Sequence, residues 1–201
     1  MKTKITLSAL LLLTSALVLF YFLFCKQALS QGFAPIDVVY HGSTSQNIKL
    51  LKPQINHFRD KNEGALIFAT PSFRLASCYL FRWDDSWVHQ EIAWKDDNKA
   101  NYQISMVISD KERFIKEDKG GSIYILPAKG FEFDDKGLGI YEWTSKEKVQ
   151  PFSQINFPSS LEAMQRMGVK VYFVDKDQFQ EYFNLSGDER EKFLAQLEKR
   201  D

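Results

Sequence analysis

The distribution of apolar and polar positions divides the chain in two. From Ile5 to Cys25 runs a stretch of 21 uncharged residues, preceded by Lys2 and Lys4. As one helix it would reach roughly 30 Å, about the thickness of a bilayer's hydrocarbon core. Beyond about residue 31 the pattern changes to short apolar segments separated by polar turns. Val38-Val39-Tyr40 reads as a strand that ends in a polar corner, His41-Gly42-Ser43, where a glycine and two hydrogen-bonding side chains leave room for a ligand. Thr44 to Glu63 reads as a loop over a site, with Ile48, Leu50 and Leu51 as a short buried piece. Gly64 to Thr70 is a second strand, and Pro71 starts a turn into a helix, Ser72 to Phe81, with Leu75, Cys78 and Tyr79 at helical spacing.

The middle of the chain carries strand patterns. Trp87 to Trp94, Tyr102 to Ser109 and Ser122 to Leu126 alternate or are β-branched, and Asp, Asn and Gly turns separate them. Gly137-Leu138-Gly139 introduces a further strand, Ile140 to Thr144, in which Glu142 stands between Tyr141 and Trp143. Ser159 with Glu162 forms a capping box opening a helix to Met167, and Gly168 ends it before a strand, Val169 to Val174. Two helices follow, Asp177 to Phe183 and one capped by Ser186 with Glu189. The pattern predicts a single α+β domain over residues 31–201. Its sheet is split and largely antiparallel, with flanking helices and one hydrophobic helix ahead of it in residues 1–30.

Composition narrows the classes. With 44% apolar content the 201 residues supply one sizeable core beside the N-terminal segment. That segment is a signal anchor or a signal peptide. Ala28-Leu29-Ser30 has the small-x-small form of a cleavage site, whereas the length of the apolar run favours an anchor. Either way the domain faces outward, tethered through residues 5–25 on the periplasmic or external side, or secreted after cleavage near Ser30. The first 30 residues hold three of the 26 Lys and Arg and none of the 26 Asp and Glu, so the remainder carries a net charge of about −3. General attraction to nucleic acid is thereby unsupported. Cys78 is the lone cysteine after the apolar run, which rules out a disulfide within the domain, and His41, His57 and His89 show no metal-ligand spacing. Ser43 lacks Asp-His partners at a recognisable spacing, Cys78 sits in an apolar helix, and no glycine loop ends in Lys-Ser or Lys-Thr.

Three pieces remain in order: Tyr40-His41-Gly42-Ser43, then Phe68-Ala69-Thr70 leading into a helix with Ala76, then Tyr141-Glu142-Trp143. Together they resemble the three-part signature of the ADP-ribosyltransferase-like fold in its His-Tyr-Glu branch, which includes diphtheria toxin and the poly(ADP-ribose) polymerases. The resemblance implies NAD as co-substrate and cleavage of the nicotinamide–ribose bond through an oxocarbenium-like state, which a nearby carboxylate stabilises. It implies that His41 bonds a ribose hydroxyl, the Gly42 backbone grips the nicotinamide amide, Ser43 assists on the adenosine side and Glu142 holds the nicotinamide ribose. A ring stacked on the nicotinamide is also expected. Ile67 occupies the place of the family's first tyrosine, and Tyr79 supplies the second ring only with a one-residue slip from Cys78.

Simpler readings stand beside these. His41 also suits a turn cap, Glu142 a solvated strand carboxylate and Tyr79 a core position, while Asp84-Asp85 and Asp134-Asp135 read as solvated turns. Two function classes therefore stay open. One is an exported or membrane-anchored enzyme that transfers ADP-ribose to a protein or small-molecule acceptor, or hydrolyses NAD. The other is a non-catalytic, membrane-tethered domain with a nucleotide-like pocket.

Overall fold

The computed structural model describes residues 37–55, 61–94, 102–134 and 141–198. The apolar run at 5–25 and the cleavage motif near Ser30 lie outside these residues; among the described ones no helix is long and apolar enough to cross a membrane. The fold is mixed α+β. Ten strands, five α-helices and one 3-10 turn (Lys61–Glu63) are described. In chain order the strands are β1 Val38–Ser43, β2 Gln54–Ile55, β3 Ala65–Ala69, β4 Val88–Trp94, β5 Tyr102–Ile108, β6 Gly121–Pro127, β7 Glu132–Phe133, β8 Trp143–Ser145, β9 Ser153–Phe157 and β10 Lys170–Phe173. The helices are α1 Phe73–Ser77, α2 Lys111–Glu117, α3 Ser160–Arg166, α4 Lys176–Asn184 and α5 Asp188–Leu197.

The strands form three sheets, ordered β1-β6-β9, β10-β5-β4 and β2-β3-β8-β7. All pairings are antiparallel except β10 with β5. Strand β5 explains the layering. Ile104, Met106 and Ile108 bury one way, against Leu75, Phe114 and Met164 from α1, α2 and α3. Val107 buries the other way, against Tyr172, Phe179, Tyr182 and Leu194 beneath α4 and α5. A strand covered on both faces carries a continuous apolar run, and Ile104–Ile108 holds only Ser105 as an interruption. A separate cluster of Val39, Leu51, Ile67, Tyr124 and Leu126 fills the space between the other two sheets. Those two sheets touch through a bridge in which Tyr40 and Thr70 exchange both backbone hydrogen bonds, at 2.7 and 2.8 Å.

Several elements differ from the sequence expectation. β1 runs through His41 and Gly42 to Ser43, paired with β6 throughout, so the polar corner is part of the strand. The segment read as a loop from Thr44 to Glu63 holds β2 and a bridge from Leu51 to Val149. α1 stops at Ser77 instead of reaching Phe81, because Cys78 and Tyr79 turn back with three-residue bonds to Leu75 and Ala76. α2 was not expected, since it buries one side chain, Phe114, and so shows no apolar stripe; its signal is Asp110, whose carboxylate caps the Arg113 amide at 2.8 Å. β9, only five residues between Pro151 and Pro158, was also missed. α3 begins at the Ser159 cap and is closed by Gly168 at φ +74°, as the pattern predicts. α5 starts from Gly187 without a side-chain cap, and Ser186 contributes its amide, which the Glu189 carboxylate accepts at 3.4 Å. Glu142 immediately precedes β8, so the strand expected from Ile140 begins at Trp143 among the described residues; Ile140 and the Gly137-Leu138-Gly139 that introduces it lie outside them.

Candidate functional site

Strand registers carry the site. Thr70 lies level with Tyr40 across the bridge on one side of β3. On its other side Ala69 pairs with Trp143, so the next step along that register sets Thr70 level with Glu142. Tyr40 and Glu142 thus stand level across β3, two strand spacings or about 10 Å apart at the backbone, and His41 is the next residue along β1. Both line a single cleft of about 560 Å³, together with Gly42, Phe68, Tyr79 and Trp83. The Glu142 carbonyl accepts the Asp134 amide at 2.9 Å, which ties the residue to the end of β7.

His41 is oriented by the backbone. Its Nδ1 lies 2.7 Å from the Phe68 carbonyl oxygen. A carbonyl only accepts, so Nδ1 carries the proton and, in the neutral ring, Nε2 is left as an acceptor for a hydroxyl. Burial lowers the His41 pKa below its ordinary value, against the opposing pull of the Phe68 carbonyl, so the ring is neutral at pH 7.

Gly42 has two distinct faces. The ring-less face is covered by α1: a Cβ there would meet the Ala76 carbonyl oxygen at 2.0 Å and the Tyr79 Cβ at 3.1 Å. Its N–H and C=O are a separate matter. Tyr40 directs both backbone groups toward Thr70, so by the two-residue period of a strand Gly42 directs both of its own to that side, away from β6. Its facing position there is Phe68, whose carbonyl is engaged by the His41 ring. Among the described residues no strand pairs with Gly42 on that side. One donor and one acceptor, adjacent and parallel, suit a primary amide.

Tyr79 lines the cleft while Cys78 is fully buried, which is the register with the one-residue slip. The Tyr79 ring stacks on Trp83 with centroids 5.8 Å apart and 26° between planes. Its hydroxyl donates to Gln90 Oε1 at 3.2 Å. Burial above all, with Cys78 and the nearby Glu142 carboxylate adding, raises the Tyr79 pKa and keeps the phenol neutral. Burial also pushes the Cys78 thiol up to about 12, leaving it without nucleophilic character.

Not every candidate reaches the cleft. Ser43 does not line it, and its Oγ accepts the Ser45 amide at 3.1 Å. Ile67 is packed in the core between the two sheets, so no first ring takes its place from that position. Of the Asp84-Asp85 pair, Asp84 accepts the Ser86 amide at 2.9 Å and Arg113 at 3.1 Å, and Asp85 is exposed in the turn that follows, as expected, where it also borders the cleft. Trp83, Asp85, His89, Gln90 and Phe183 are lining residues that sequence reading missed. Of these Phe183 comes from α4, and only the docking of α4 onto β4 brings it in. Tyr182 donates to the Glu91 carboxylate, Arg190 pairs with it at 3.3 Å, and the His89 ring meets Phe183 at 4.9 Å. Among the described residues no group of acids, histidines or cysteines is arranged to hold a metal. No family model matches the chain, and no curated protein or solved structure matches it.

Proposed function

We propose that this is an ADP-ribosyltransferase-like protein whose cleft binds NAD and breaks its nicotinamide–ribose bond. The observation that carries the reading is the meeting of His41, Gly42, Tyr79 and Glu142 in one cleft from three separate stretches of chain. In this reading the Gly42 N–H and C=O hold the carboxamide, and the Tyr79 ring lies against the pyridinium. His41 Nε2 accepts a ribose hydroxyl. The Glu142 carboxylate stabilises the positive charge that grows on the ribose as the C–N bond breaks and its electron pair passes to the ring nitrogen. Nicotinamide leaves neutral; an acceptor's lone pair captures the ribosyl carbon and its proton is lost. Water as acceptor gives hydrolysis, and a protein or small-molecule nucleophile gives transfer. The apolar N-terminal run would deliver this cleft outward, as an anchored or released domain.

A second reading, a binding domain without turnover, is favoured by one observation: Ile67 is in the core, so the family's first ring is missing. Nicotinamide release from NAD by the purified full chain, compared with Glu142→Gln, separates the two. Release that the substitution lowers by about a hundredfold or more supports the enzyme. No release across varied nucleotides and acceptors removes it.

A further inference from the structure

The part of the cleft built by Tyr79 and Trp83 has a chemistry of its own. The Tyr79 and Trp83 rings stack with 26° between their planes, both line the cleft, and the hydrogen-bond donors at both polar tips are engaged within the protein. The Tyr79 hydroxyl donates to Gln90, and Trp83 Nε1 donates to the Cys78 carbonyl at 2.9 Å. With both donors engaged, the wall meets a ligand with aromatic carbon, and the faces of the pair that are not turned to each other carry the negative side of the aromatic quadrupole. Two acids, Asp85 and Glu142, line the same cleft, and the described lining residues include neither lysine nor arginine. Both carboxylates act on Tyr79, and each raises its pKa. Negative charge and electron-rich faces converge on one place.

We propose that this wall makes the cleft selective for a positively charged aromatic ring, such as an N-alkyl or N-glycosyl pyridinium, over its neutral counterpart, with Trp83 and Asp85 as the specificity-determining residues. A neutral ring gains stacking alone. A cationic ring of the same shape gains in addition the attraction of the ring faces and of two carboxylates, worth about tenfold in affinity. After bond cleavage the same selectivity weakens the hold on neutral nicotinamide and so favours its departure. The inference rests on the reading of this cleft as the ligand site, and extends it to Trp83 and Asp85, which carry no role in bond cleavage.

The test is calorimetric titration of the full chain with 1-methylnicotinamide, a cation, and with nicotinamide, its neutral relative. The expected result is about tenfold tighter binding of the cation, weakened by added salt. Trp83→Leu should cost the cation about tenfold. Asp85→Asn, at an exposed position where folding is not at stake, should shrink the preference several-fold and leave nicotinamide binding unchanged. Equal or tighter binding of nicotinamide overturns the inference, as does no binding of the cation at millimolar concentration. Cleavage of NAD without a preference for the cation removes this inference alone; a preference without cleavage removes turnover alone.

Discussion

The carbonyl oxygen of Ala76 occupies the space that a side chain on Gly42 would need, only 2.0 Å from an ideal Cβ. Helix α1 thus docks on β1 through the glycine, and Tyr79, just beyond the helix, is set against the cleft by the same contact. Gly42→Ala must push α1 away from β1. The expected cost is about 1–3 kcal/mol, read as a lower denaturant midpoint, together with weaker ligand binding from a displaced Tyr79.

His41 makes stability depend on acid. Its folded pKa lies below the ordinary 6.5, so in the window beneath that value the unfolded chain binds the proton more readily. The contribution is complete above the unfolded value and is lost as pH falls through the folded one. Wild type should therefore lose more stability than His41→Gln between about pH 7.5 and 5.5, measured by urea unfolding at each pH. Parallel curves for the two proteins would place the histidine in water.

The C-terminal helices hold to the sheet through Glu91. The His89 ring 3.7 Å away, the Tyr182 hydroxyl that donates to it and Arg190 keep its carboxyl below the usual range despite burial. Tyr182→Phe removes one donor from that carboxylate and should cost about 1–2 kcal/mol. Hydrogen exchange should show the loss in α4 and α5 first, and ligand affinity should fall as Phe183 leaves the cleft.

Cys78 is fully buried, and its pKa is pushed up to about 12. In a Cys25→Ser background the native chain should resist a thiol reagent, and labelling should follow global unfolding. Fast labelling of the folded chain would mean that α1 opens locally.

Local chemistry made much of this fold legible. β5 showed itself through its alternating and β-branched positions, and α3 through Ser159 and Gly168, because caps and periodicity are properties of neighbouring residues. α2 escaped because Phe114 alone faces the core. Site residues divide the same way. His41-Gly42-Ser43 stands out as a short motif, yet that Ser43 turns to Ser45 and that α1 fills the empty face of Gly42 depend on tertiary packing. Asp85 sits exposed in a turn, as its sequence suggests, and only the fold shows that this turn borders the cleft. Phe183 carries no local signal, since its place is decided by the contact of Tyr182 and Arg190 with a strand about ninety residues away.

The claim on which the rest depends is that His41 and Glu142 face one ligand across the end of β3. Calorimetric binding of carba-NAD, which cannot be cleaved, tests it on the full chain. The account predicts saturable binding that His41→Ala weakens by about tenfold or more, through loss of the acceptor at Nε2, while Glu142→Gln leaves binding within a few-fold of wild type and removes only turnover. No binding, or binding that His41→Ala leaves unchanged, would contradict it.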